Sequence, residues 1–361
     1  MYKKAIEVLN KFHDNGYLAY IVGGYPRDTL LGIKTKDIDI CTNAKPIEIM
    51  KLFDTEKVTD IKYGSVKVIY KNYVFDVTTF RKDIKYEDNR KPVKIRYINN
   101  LKNDLYRRDF TVNTICIDKD NNYVDLLNGI EDINNKIIKT VGNPRNKLKE
   151  DSLRILRAIR FATLLNFSID KDTEKYIIKY GYLLSKLSNS RKKEELDKIF
   201  SSVNKNIARE MLIKYGLDRQ MGINNLNDIV LCDDIIGIWS QLDLSVEYPF
   251  NKTEKEQMKK IKEMLELDIN NYNIYKYGLY ISNVVGSIKG ISYKKINDIY
   301  NSLVIYSLSD INIKAMDIAK VLKREPGNYL SEIFNDIEKR IVNNELENKY
   351  ECICEYIKKN Y

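Results

Sequence analysis

KDIDI, residues 36–40, is the stretch on which the reading of this chain turns. In an extended strand alternate side chains share a face, so Asp37 and Asp39 stand side by side while Ile38 and Ile40 pack on the other face. Two carboxylates held that close raise each other's pKa unless a cation neutralises them. Paired oxygen ligands that leave room for water and phosphate suit Mg²⁺. Just upstream lies GGYPRD, residues 23–28. Gly23 and Gly24 follow an apolar run and precede a short helical pattern, so backbone N–H groups there can approach a phosphate closely. Arg27, one turn on, can add a guanidinium. A glycine pair alone is an ordinary tight turn, but followed by the aspartate pair it reads as equipment for phosphoryl or nucleotidyl transfer.

The surroundings predict a small mixed α/β domain. YLAYIVGG (17–24) reads as a strand entering a turn, PRDTLLG as a short helix, DIDIC as a strand and PIEIMKLF as a helix. GSVKVIY and YVFDVTTF read as a hairpin around Lys71 and Asn72. Asp76, in the second of these strands, is a candidate third carboxylate that completes a metal site or acts on an attacking hydroxyl; the plainer alternative is a solvated aspartate. Residues 81–98, charged and interrupted by Pro92, read as a mobile loop. From Pro144 onward apolar residues recur at helical spacing, as in Leu153, Leu156, Ile159, Ala162 and Leu165, and the rest of the chain reads as successive helices.

Two further clusters carry chemistry. YRRDFTVN (106–113) crowds Arg108, Asp109 and Asn113 into one stretch, fit to clamp phosphates and ribose hydroxyls or simply to cap a helix. In EDSLRILRAIR (150–160), helical spacing places Glu150, Arg154 and Arg157 on one face, and Asp151 with Arg154. That pattern suits a salt-bridged outer face. It also suits base reading, because adenine and cytosine each present an amino donor beside a ring-nitrogen acceptor, matching one Asp and one Arg.

Composition narrows the alternatives. With 361 residues, 43% hydrophobic and 31% charged, the chain has the make-up of a globular protein of two or three domains. No apolar run approaches the roughly 20 residues of a membrane span. MYKKAIEVLNKFHDNG reads as an amphipathic helix rather than a signal peptide, which predicts a cytoplasmic location. The net charge of +10 favours polyanionic partners. Five scattered cysteines and the single histidine, His13, exclude a disulfide framework, a zinc cluster and a histidine–aspartate phosphohydrolase centre. Cys352 and Cys354 read as packing on a C-terminal helix.

In their order and spacing, GGYPRD, DID, RRDFTVN and EDSLRILRAIR resemble the class II nucleotidyltransferases, the family of tRNA CCA-adding enzymes and bacterial poly(A) polymerases. The resemblance implies an α+β fold, a polymerase-beta-type mixed α/β head followed by an all-helical neck, body and tail. The change of character near residue 140 sets the end of the head, so that the architecture becomes a head over residues 1–139, a base-recognising neck over 140–200, and a tRNA-binding body and tail over 201–361. The resemblance further implies Mg²⁺ on Asp37 and Asp39, with Gly24 and Arg27 on the triphosphate and Arg108 and Asp109 on ribose and phosphates. Asp151 and Arg154 would read the incoming C or A, supported by Arg157 and Arg160. The implied substrates are tRNA, CTP and ATP, with no membrane and no obligate protein partner; poly(A) or A-only addition is the sibling alternative, and a non-catalytic RNA-binding protein on a decayed scaffold is a rival of another class. Tyr25 and Pro26 replace the family's usual small residue and Val. Ser190 stands before Arg191 where the family carries a glutamate that braces the neck. The charged loop keeps Tyr86, Asp88, Arg90 and Pro92, which tilts toward full CCA addition.

Overall fold

The computed structural model describes residues 1–361 apart from Lys36, residues 57–60 and residues 88–90. The chain divides into two compact units, Met1–Asn227 with Asp243–Pro249, and Asp228–Leu242 with Phe250–Tyr361. The excess of lysine and arginine lies in the first unit, whereas acidic and basic residues nearly balance in the second.

The first unit opens with α1 (Tyr2–Asp14), whose Ala5, Val8, Leu9 and Phe12 form one buried stripe at helical spacing. After β1 (Ala19–Val22), α2 (Gly24–Leu30), β2 (Asp39–Thr42) and α3 (Pro46–Leu52) come β3 (Asp54–Thr55), β4 (Ser65–Tyr70) and β5 (Tyr73–Thr79). The β4–β5 turn uses Lys71 at φ 46° and Asn72 at φ 68°, the left-handed pair that a two-residue hairpin demands. Next are β6 (Arg81–Glu87), β7 (Lys91–Tyr97), α4 (Leu101–Tyr106), β8 (Cys116–Ile117) and β9 (Tyr123–Val124). One sheet runs β3-β4-β5-β2-β1-β8-β9, with β2 and β5 parallel. Ile21, Ile40, Val66 and Val77 face the layer of α1 and α3, while Val22 and Cys41 face Leu101 and Leu105 of α4.

The expected loop over 81–98 is instead a two-stranded antiparallel hairpin, β6 with β7. The sequence alternates charged and apolar or aromatic residues over 83–87 and 93–97, and Pro92 is tolerated because a two-stranded ladder has edges only. Tyr86 and Pro92 pair across it; Asp88 and Arg90 lie outside the described residues.

The helical remainder of this unit begins with α5 (Gly129–Asn134), α6 (Pro144–Glu150), α7 (Leu153–Leu165), α8 (Lys171–Tyr180) and α9 (Asn189–Phe200). EDSLRILRAIR is not one helix. Asp151 adopts φ −142°, and its carboxylate accepts the Leu153 N–H at 3.1 Å, so the chain breaks between α6 and α7. The second unit packs its helices around Ile261, Ile274, Val285, Ile337 and Ile357. Cys352 and Cys354 fall on its last helix, Tyr350–Asn360, with Cys354 buried.

Candidate active site

A cavity of about 680 Å³ opens in the first unit. All the residues singled out from the sequence line it except Asp76: Gly23, Gly24, Arg27, Asp37, Asp39, Arg108, Asp109, Asn113, Asp151, Arg154, Arg157 and Arg160.

Its acidic side is the start of β2. The strand proper begins at Asp39, yet the alternation extends upstream: Asp37 and Asp39 are exposed while Ile38 and Ile40 are buried at 3% and 1%. Asp76 is exposed on β5 and registers directly against Asp39 across the parallel pair. Desolvation by the surrounding protein raises the Asp39 pKa; Arg108 opposes this, and the charges of Asp76 and Asp37 add to it. A cation beside Asp39 would relieve that strain. Among the described residues no group of three or more His, Cys, Asp and Glu side chains is gathered as a metal cluster. A divalent ion here would therefore rest on the Asp37–Asp39 pair plus water and substrate oxygens, a donor set of hard oxygens that fits Mg²⁺.

Glycine is required at the turn above this pair. Gly23 has φ 86°, and a Cβ there would stand 3.2 Å from Asp39 Oδ2.

The cavity is also lined by a set of guanidiniums, several of them held by buried or half-buried carboxylates. Arg27, 5% exposed, donates to Asp28 at 2.8 and 2.6 Å and to the Asn113 amide oxygen at 2.5 Å. Arg157 donates to Asp109 Oδ2 from Nε at 2.8 Å and from NH2 at 2.5 Å. Asp109 Oδ1 accepts from the Phe110 N–H at 2.8 Å and from Asn113 at 3.1 Å. Burial alone would raise the Asp109 pKa, but Arg157 and these hydrogen bonds hold it well below the usual carboxylate range. Arg160 donates to Glu195 of α9 at 2.7 Å, and Arg157 lies 3.9 Å from the same carboxyl group. Arg108 and Arg107 share Asp104, at 3.3 and 2.8 Å. The Nε of Arg108 is buried without a hydrogen-bond partner among the described residues.

Arg154, also 5% exposed, donates to two backbone carbonyls, Lys147 at 2.8 Å and Arg107 at 3.0 Å. It is held as a rigid fork, while Asp151 stands in the break before its helix.

Sequence reasoning missed Asp104, Glu195 and Phe161. Asp104 precedes the two arginines at i+3 and i+4, a helical ion-pair spacing that was available to be read. Phe161 follows Arg157 at i+4 and was equally available, whereas the pairing of Glu195 with Arg160 carries no such local signal. Glu195, 3% exposed, braces Arg160 although the expected glutamate at 190 is an exposed serine.

An acidic strand pair facing arginines across a cleft, on a mixed sheet with a helical continuation, defines a nucleotidyltransferase. The chain is 30% identical over 394 residues to the CCA-adding enzyme of Ligilactobacillus salivarius (strain UCC118), covering 99% of this chain and 96% of that one. It belongs to the family of CCA-adding enzymes. Residues 19–139 match the family described as Poly A polymerase head domain, 166–221 the RNA and SrmB-binding site of polymerase A, and 247–357 the tRNA nucleotidyltransferase domain 2. The CCA-adding enzyme of Pediococcus pentosaceus is 31% identical, covering 96% of this chain and 95% of that one. The crystal structure of the Bacillus stearothermophilus CCA-adding enzyme in complex with CTP superposes with a TM-score of 0.87 at 26% identity, covering 99% of this chain and 97% of that one. Among the described residues no helix is long and apolar enough to cross a membrane.

Proposed function

We propose that this protein adds the 3′-terminal CCA to tRNA from CTP and ATP without a nucleic-acid template, releasing pyrophosphate. The observation that carries the reading is that one cavity is lined by the Asp37–Asp39 pair together with Arg27, Arg108, Arg157 and Arg160. In this reading residues 1–139 form the catalytic head, 140–200 the base-recognising neck and 201–361 the body and tail, and the enzyme works in the cytoplasm on tRNA.

Asp37 and Asp39 would hold Mg²⁺, which when bound activates the tRNA 3′-hydroxyl and neutralises charge on the leaving pyrophosphate. The chain's own groups do the rest. Gly23 and Gly24 let the backbone approach the triphosphate, and Arg27, Arg108, Arg157 and Arg160 place positive charge along it. Asp109 and Asn113 orient those cations and reach the ribose. Asp76, registered beside Asp39, faces the approach of the attacking hydroxyl. Asp151 accepts from the exocyclic amine of cytosine or adenine. Arg154 donates to the adjacent ring nitrogen, its fork fixed by the Lys147 and Arg107 carbonyls. Guanine and uracil present the reverse pattern and leave both charges unpaired, a penalty of about 1–3 kcal/mol per contact.

The test is extension of tRNA ending at its discriminator base, with CTP and ATP supplied separately. CTP alone is expected to give the CC end, both nucleotides together the CCA end and then a stop. Unlimited growth with ATP alone would mark the protein as a poly(A) polymerase and overturn the proposal. Asp37→Ala is expected to abolish incorporation while leaving tRNA binding intact.

A further inference from the structure

Phe161 lies inside the cleft, 6% exposed, on the helix that carries Arg157 and Arg160. Three guanidinium carbons stand over its ring: Arg160 at 4.3 Å from the centroid, Arg27 at 5.2 Å and Arg157 at 5.4 Å. Arg157 and Arg160 belong to the ring's own helix, but Arg27 comes from α2, so the contact joins head and neck elements. Phe110 meets Phe161 edge-on, with centroids 5.7 Å apart and planes at 75°, which fixes the direction the ring faces.

Three like charges converging on one ring repel one another, and each is balanced by a carboxylate. Asp28 holds Arg27 at 2.6 Å, Asp109 holds Arg157 at 2.5 Å and Glu195 holds Arg160 at 2.7 Å. The ring they share lines the cavity with them. An aromatic face attracts cations through its quadrupole and carries no net charge. A carboxylate in its place would form ion pairs that an arriving phosphate must break. An aliphatic side chain would offer the cluster no such attraction.

We infer that Phe161 is a positioning residue for the nucleoside triphosphate: its ring holds Arg27, Arg157 and Arg160 in one convergent set without competing for the anion they bind. This rests on the reading of the cleft as the triphosphate site. Because those arginines would contact the triphosphate in ground and transition states alike, loosening them weakens binding more than turnover.

The experiment places singly, doubly and triply fluorinated phenylalanine at position 161 of the full chain. Fluorine withdraws the ring's negative face while nearly preserving its shape. KM for CTP and for ATP is measured on tRNA lacking its CCA end. Both are expected to rise stepwise to about tenfold, with kcat within about twofold of the parent and the melting temperature lowered by no more than a few degrees, the size expected for weakening several partly desolvated cation–ring contacts. Phe161→Tyr is expected to keep KM near the parent and Phe161→Leu to exceed the fluorinated series. If Phe161→Leu does not fold, the shape-preserving series decides. Arg27→Met is the control. A flat KM across the fluorinated series, with Arg27→Met still raising it, overturns the role of Phe161 and leaves the site reading standing. A flat KM in both overturns the site reading as well.

Discussion

Asp109→Asn isolates the charge at the centre of the basic wall. The amide keeps the side chain's shape, and its oxygen can still accept from the Phe110 N–H and from Asn113, now at 2.8 and 3.1 Å. Its NH₂ then faces the two Arg157 donors, now at 2.8 and 2.5 Å, so donors meet donors. Two charge-assisted hydrogen bonds are lost, each worth about 1.5–3 kcal/mol. Arg157 remains 32% exposed and recovers part of its hydration, which reduces the cost to about 2–4 kcal/mol. The pH dependence follows from the depressed Asp109 pKa. Its stabilisation is fully present above the unfolded value of 3.8 and is lost as pH falls below that toward the lower folded value. Urea denaturation of parent and variant at pH 7 and near pH 3 measures both effects by far-ultraviolet circular dichroism. Trp239, the sole tryptophan, lies in the second unit and supplies a fluorescence reference for it. Equal urea midpoints at pH 7, or a gap between parent and variant that persists unchanged at pH 3, would refute the reasoning.

Gly23→Ala forces a side chain into φ 86° with its Cβ 3.2 Å from Asp39 Oδ2; a stability loss of about 1–3 kcal/mol and a deeper loss of nucleotide incorporation are expected by melting and extension assays. Glu195→Gln leaves Arg160, 15% exposed, without its anion and is expected to cost about 2–4 kcal/mol in urea denaturation. Ser190→Glu, at an exposed position, should shift stability by less than about 0.5 kcal/mol. Burial and the nearby Arg154 push Lys147 down from 10.5 to about 8. The unfolded chain therefore binds more protons than the folded one between those values, and stability rises with pH across that window. The difference between parent and Lys147→Met in urea should accordingly move toward the parent by about 3 kcal/mol from pH 7.5 to 10.5, and a difference independent of pH would count against the assignment.

The acidic pair and the glycine turn were legible in the sequence because each follows from a local rule. Alternation along a strand places Asp37 with Asp39, and the backbone freedom of glycine permits the φ of Gly23. The Lys71–Asn72 turn was legible for the same reason. What depended on distant partners was not. The segment 81–97 is rich in charge and contains Pro92, local signals for a loop that the pairing of its two halves overrides. The break after Glu150 comes from Asp151 capturing the Leu153 amide, a competition between side chain and backbone that helical spacing cannot register.

The neck brace shows how a role can outlast the position expected to carry it. What Arg160 requires is a buried carboxylate within ion-pair reach, and such a group need not follow a particular neighbour in the chain. Residue 190 sits at the exposed start of α9, whereas residue 195, more than one turn further in, faces α7. A glutamate at 190 would hold its charge in water, where an ion pair contributes little. The same charge at 195 is desolvated and meets Arg160 at 2.7 Å, Lys198 at 3.6 Å and Arg157 at 3.9 Å. Replacing the expected glutamate by Ser190 therefore leaves the arginine wall intact, since the wall is held from the buried face of α9.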